Sequence, residues 1–142
     1  MNFPKLASEQ LLRRLNPPEG RIRMVLDTDT FNEIDDQFAL AYALKSPERL
    51  LLEAVYAAPF YNDRSSGPAD GMRKSYQEIL NVFSLLDIDP ADRVFTGSED
   101  YLADEITPRE SAAARDLVRL ALSGGPEPLY VVAIGAITNV AS

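Results

Sequence analysis

Arg21-Ile22-Arg23-Met24-Val25-Leu26-Asp27-Thr28-Asp29-Thr30-Phe31-Asn32-Glu33-Ile34-Asp35-Asp36 is the stretch that decides the fold. Ile22 to Leu26 is an apolar run of strand length, and Ile34 to Lys45 reads as a helix. Between them stand Asp27, Asp29, Asp35 and Asp36. A strand that ends in carboxylates and passes into a helix delivers them to the C-terminal edge of a sheet, where open α/β folds keep their ligand sites. Four like charges so close repel one another unless a cation or a proton sits among them. The donors are all oxygen, with no sulfur or imidazole nearby, so the cluster suits a hard ion such as Ca²⁺ or Mg²⁺. The plainer alternative is a solvated acidic loop that caps a helix.

Outward from this stretch, strands and helices alternate. Residues 8–15 form a short amphipathic helix opened by Ser8 and ended by Pro17-Pro18-Glu19-Gly20. In the helix from Ile34, Asn32 is a candidate N-cap and Phe38, Ala41, Tyr42 and Lys45 share a face. Leu50 to Ala57 is the next strand, and Pro59 to Gly71 a loop. Met72, Tyr76, Ile79, Leu80, Phe83 and Leu86 recur at helical spacing. A short strand follows at Arg93 to Thr96, then a solvated acidic loop from Ser98 to Glu105. Thr107-Pro108-Arg109-Glu110 has the signature of a helix start, with Thr107 as cap and Glu110 closing a capping box. That helix runs to about Ser123, where Gly124-Gly125 stops it. Leu129 to Ile134 is another buried strand, and Gly135 to Ser142 turns off it into a helix.

Four strands separated by helices predict an α/β fold, a Rossmann-like open parallel sheet with helices on both faces. Residues 1–20 read as an N-terminal helical extension and residues 21–142 as the α/β part. The last helix is cut after one turn, which predicts a truncated piece of a longer domain; a short domain with a frayed tail is the alternative.

The net charge of −8 argues against a nucleic-acid backbone or an anionic membrane as partner. The chain has no cysteine and no histidine. Thiolate nucleophiles, Ser-His pairs and His-metal schemes are therefore excluded within it. The absence of cysteine fits a cytoplasmic protein. The N-terminal segment has no apolar h-region and no run approaches the roughly 20 residues of a membrane span.

Strand-Asp27-x-Asp29, Asp35-Asp36 opening a helix, and the later Gly135-Ala136-Ile137-Thr138-Asn139-Val140-Ala141 turn resemble the inosine–uridine-preferring nucleoside hydrolase family. The spacer from Asp29 to Asp35 is five residues where that family usually has three, so the loop bulges by two. The resemblance covers residues 21–142, about the N-terminal half of such an enzyme. It implies hydrolysis of the N-glycosidic bond of a nucleoside with Ca²⁺ as cofactor. Asp29 would be a metal ligand and the base that takes a proton from the attacking water. Asp36 would hold Ca²⁺ through both oxygens, with the main-chain carbonyl of Ile134 as a third ligand. Asp35 and Asn62 would bind the sugar, while Asp27 and Asn139 orient the ligands from behind. The family's second half supplies a further metal Asp and many substrate contacts, so the expectation for this chain alone is half a site and no activity. Its partner would be a small nucleoside, with a homo-oligomer as one possible assembly. Tyr56, Phe60 and Tyr61 are candidates to stack on a base, with ordinary packing the commoner fate of such residues.

Val25-Leu26-Asp27-Thr28-Asp29-Thr30 also resembles the first motif of haloacid-dehalogenase-type phosphatases. That likeness implies Asp27 as nucleophile, Asp29 as acid/base and Mg²⁺ as cofactor. It spans six residues and leaves Asp35-Asp36 and the Gly135 turn without a role. A third reading is a non-catalytic fragment that binds a metal or a partner.

Overall fold

The computed structural model describes residues 5–124 and 127–142. The elements are α1 (Ser8–Leu15), β1 (Ile22–Thr28), α2 (Ile34–Lys45), β2 (Leu50–Ala57), α3 (Pro68–Leu85), β3 (Val94–Thr96), α4 (Ala112–Leu122), β4 (Leu129–Ala133) and α5 (Thr138–Ala141). The four strands form one parallel sheet in the order β3-β2-β1-β4. The α/β architecture expected from the alternation is present. β1 lies inside the sheet, between β2 and β4, and its C-terminal half is fully buried. That position explains why its apolar residues run continuously instead of alternating.

Both faces of the sheet are covered over β1 and β2; β4, expected to be buried, is an edge strand that ends at Ala133 and leaves Val131 and Val132 exposed. Met24, Leu26, Leu52 and Val55 pack against Leu40, Ala43 and Leu44 of α2 and Ile79, Val82 and Phe83 of α3. On the other face Val25, Ala54 and Tyr56 pack against Ala113 and Leu120 of α4. α1 contributes to neither core and buries none of its residues.

Several boundaries differ from the sequence reading, each for a local reason. β1 runs on to Thr28, so Asp27 belongs to the strand. α2 turns a different face inward. Asp36, Leu40, Ala43 and Leu44 are buried, whereas Phe38 and Tyr42 are about 70% exposed. Once Asp36 is held against the sheet edge, the helical period carries 40, 43 and 44 inward and 38 and 42 outward. α3 begins at Pro68, one turn before Met72. Inside it, Gly71 lies where a Cβ would stand 2.1 Å from the Phe60 carbonyl oxygen, so only glycine permits that approach.

α4 starts at Ala112 and not at Thr107. Asp104 accepts bonds from the backbone N–H of Ile106 at 2.9 Å and Thr107 at 2.7 Å, and from the Thr107 hydroxyl at 2.9 Å. The Thr107 side chain is spent in that turn. The cap is Ser111, whose hydroxyl accepts from Ala114 N–H at 3.0 Å. Ser98 to Glu105 is a loop, exposed as expected over most of residues 99–105, but Ser98 itself is buried. Of the Gly124-Gly125 stop, Gly125 lies outside the described residues, as do residues 1–4. No helix among the described residues is long and apolar enough to cross a membrane.

Candidate functional site

The end of β1 places Asp27, Thr28, Asp29 and Thr30 at the carboxyl edge of the sheet, all of them buried. Asp27 is completely inaccessible to solvent. Its Oδ1 accepts a hydrogen bond from Asn139 Nδ2 at 2.8 Å. Its Oδ2 has no partner among the described residues. Burial pushes its carboxyl up to about 7, against the lowering effect of the Asn139 bond, and the Asp29 charge raises it further.

Asn139 does more than orient Asp27. The same Nδ2 donates to the Ala57 carbonyl at 3.2 Å, and Oδ1 accepts from Ser98 N–H at 2.8 Å and from the Ser111 hydroxyl at 3.4 Å. One buried amide therefore joins the ends of β1 and β2, the loop after β3 and the cap of α4. Gly97 makes room for it: a Cβ there would meet the Ala57 carbonyl oxygen at 1.9 Å and Asn139 Nδ2 at 2.5 Å.

Asp29 accepts at Oδ2 from Asn32 Nδ2 at 3.0 Å. Its other oxygen lies against Gly135, where a Cβ would come within 2.7 Å of it. The adjoining Ile134 is tied to β1 through its N–H, which donates to the Asp27 carbonyl at 2.9 Å. Burial raises the Asp29 carboxyl, the Asn32 bond lowers it, and Glu33 and Asp35 raise it again. Asp36, brought in by the first turn of α2, accepts from the Thr28 hydroxyl, which also bonds Thr30 Oγ1 at 2.9 Å. Burial pushes Asp36 up to about 6; the Thr28 bond opposes this, and the charges of Asp29, Asp35 and Glu33 add to it.

The structure thus brings Asp27, Asp29, Asp36, Asn139 and the main chain at Ile134 together. Asp35 stands exposed at the rim. Asn62 is exposed in the loop after β2 and reaches the cluster indirectly, donating through Nδ2 to Asn32 Oδ1 at 2.6 Å. Of the acidic loop, Ser98 reaches Asn139 through its N–H, and none of the loop's carboxylates contacts the cluster in the described hydrogen bonds and ion pairs.

The loop between Asp29 and Asp35 holds Asn32, which the sequence reading assigned to the cap of α2. The residue before α2 is Glu33, which makes no side-chain cap bond. Asn32 instead bridges Asp29 and Asn62, and its carbonyl accepts from Arg64 Nη1 at 2.6 Å. Thr28 and Thr30 were also passed over; their placement beside Asp27 and Asp29 in one run was the available signal. Of the aromatic candidates, Tyr56 points to the α4 face and donates to Asp116 Oδ2 at 2.9 Å, so it packs and cannot stack on a ligand here. Phe60 is buried against Phe31, with ring centres 6.5 Å apart. Tyr61 is exposed.

Among the described residues, no group of three or more carboxylates closes on one metal position. The donor set is nevertheless all oxygen, the chemistry a hard cation takes. Asp29 and Asp36 are buried, burial raises both carboxyls, the Asp29 charge raises Asp36 further, and Asp27 Oδ2 has no partner among the described residues. A positive charge relieves all three conditions. Six to eight oxygens are needed around Ca²⁺, so further ligands must come from water, substrate or other polypeptide.

No family model matches the chain, and neither the curated proteins nor the solved structures searched contain a significant match to it.

Proposed function

We propose that this chain carries the carboxylate half of a Ca²⁺-dependent nucleoside hydrolase site. The observation that carries the reading is the pair Asp29 and Asp36, buried together at the carboxyl edge of the sheet in front of a desolvated Asp27. The order of motifs along the chain supports it as well. Ca²⁺ in such a site supplies positive charge that keeps the carboxylates ionised and makes a nearby water more acidic.

The chain's own residues have separable tasks. Cleaving an N-glycosidic bond builds positive charge on the sugar, and carboxylates beside the ring stabilise it. Asp29 takes the proton from the attacking water, and Asn32 fixes its orientation. Asp35, exposed at the rim, accepts from a ribose hydroxyl, and the Asn62 amide contacts the same sugar. Asp27 and Asn139 stay behind, shaping the edge. The phosphatase reading asks Asp27 to attack a phosphorus atom. Its complete burial and its bond to Asn139 stand against that role.

The test is calorimetric titration of the purified chain with ribose, with and without Ca²⁺. Ribose binding that requires Ca²⁺ and is lost in both Asp35→Ala and Asp36→Ala supports the reading. Ribose binding indifferent to Ca²⁺, or Mg²⁺-dependent turnover of p-nitrophenyl phosphate that disappears in Asp27→Asn, refutes it. Release of ribose from inosine or uridine is expected to be undetectable for residues 1–142 alone, because the described donors leave the cation's shell incomplete. Release that vanishes in Asp29→Ala would show that half the motif set is enough.

A further inference from the structure

At the opposite end of the sheet lies a cavity of about 440 Å³. It sits between the last turn of α1, the Pro17-Pro18 turn and the starts of β1 and β4. Arg13, Arg14, Arg21 and Arg23 line it, together with Glu19, Glu127 and Tyr130. Four of the chain's fourteen basic residues therefore meet at one cavity of a protein whose net charge is −8.

Arg23 already has a partner, donating from Nη2 to Glu53 Oε2 at 3.0 Å. Arg13, Arg14 and Arg21 make no ion pair among the described residues, although Glu19 and Glu127 line the same space. The C-terminal turn of α1 favours two cations through the helix dipole, which accounts for Arg13 and Arg14. It does not account for Arg21, which comes from the approach to β1. The volume suits a small ligand. Guanidinium forks suit phosphate oxygens, and several of them suit an anion with more than one charge.

We propose that this cavity binds a small phosphorylated anion carrying two or more negative charges, with Arg13, Arg14 and Arg21 as its ligands. The site is separate from the carboxylate cluster and does not rest on the reading of that cluster. It also gives α1 a reason to be where it is. α1 buries no residue of its own, so an anion bridging Arg13 and Arg14 to Arg21 would fasten it to the sheet.

The experiment is calorimetric titration of the whole chain with pyrophosphate, in metal-free buffer at constant ionic strength, with ADP as a second arm. Saturable one-to-one binding is expected, weakened about tenfold or more in the double variant Arg14→Gln/Arg21→Gln. Arg115→Gln, an exposed arginine on α4 paired with Glu110, should leave it unchanged. Pyrophosphate should also slow tryptic cleavage after Arg13 and Arg14. Tighter binding of ADP would identify a nucleotide as the source of the phosphate, and equal binding a free diphosphate. Circular dichroism checks that the double variant is folded. No binding, binding unaltered in the double variant, or displacement by sulfate as readily as by pyrophosphate would overturn the proposal.

Discussion

The two ends of the parallel sheet handle charge in opposite ways. At the carboxyl edge, Asp27, Asp29 and Asp36 are withdrawn from water, hydrogen-bonded by Asn139, Asn32 and Thr28, and raised above their ordinary pKa. At the amino edge, Arg13, Arg14 and Arg21 are exposed, and the helix that carries two of them buries nothing. Like charges can be tolerated by solvating them or by fixing them in a bonded frame, and this chain does one at each end. A frame stores free energy that a ligand of opposite sign can release; solvation stores very little. In the absence of ligands, mutations should therefore change stability strongly at the carboxyl edge and faintly at the amino edge.

The largest difference is expected from Asn139→Ala against Arg13→Ala. The first strips partners from Asp27, from Ser98 N–H and from the Ala57 carbonyl, and should cost about 3–4 kcal/mol in urea unfolding, since each orphaned buried group costs about 1–3 kcal/mol. Arg13→Ala should stay within about 0.5 kcal/mol, as for an ordinary surface position. Similar losses for both variants would erase the contrast between the two ends.

The pH dependence comes next. Asp27 and Asp36 have folded pKa values above those of the unfolded chain, at about 7 and about 6. Their contribution is then fully present below the unfolded value near 3.8 and is lost as pH rises through the folded values. Metal-free protein should lose on the order of 3 kcal/mol of stability between pH 5 and pH 8. Asp27→Asn should flatten that slope. A stability that climbs over the same interval would mean that the carboxylates are not held as described.

Saturating Ca²⁺ should act in the reverse sense, stabilising the chain at neutral pH by about 2–3 kcal/mol at a hundredfold excess over Kd. Thermal melts should show this in the parent and in Glu105→Ala, but not in Asp36→Ala. Equal shifts in all three would indicate diffuse screening. The smallest effect belongs to α1: Leu12→Ala, at a position that buries nothing against the sheet, should change the melting temperature by no more than about 2 °C.

The same contrast explains what was legible in the sequence. β1 and its carboxylates could be read because a strand inside a parallel sheet is apolar throughout and the residues after it leave the sheet at an edge; the apolar run of β4 was no guide to burial, because it lies at the sheet edge with Val131 and Val132 exposed. The four strands and the coverage of both faces followed from alternation alone. Local signals with two possible partners could not be read. Thr107 looked like a cap, but Asp104 sits three residues earlier and takes its N–H and hydroxyl first. Asn32 looked like a cap, but the loop after β1 brings its amide to Asp29. Phe38 and Tyr42 looked like a buried face until the inward pull on Asp36 rotated α2. In each case a polar contact outweighed a pattern, and such contacts depend on three-dimensional closeness that periodicity does not encode. Asn139 is the extreme example, because its partners lie up to 112 residues away along the chain.

That separation has a temporal meaning. During synthesis, residues 27–36 leave the ribosome long before residue 139 exists, and β4 cannot take its place beside β1 until residues 129–133 are made. Contacts this distant in sequence form late, after shorter loops have closed. Until then Asp27 cannot be buried without an unanswered charge, so β1 must remain wet or protonated while α2, β2 and α3 assemble around it. The turn that carries Asn139 thus acts as a lock on the first strand. The half-built sheet should be most prone to aggregation during this interval, before Asn139 arrives.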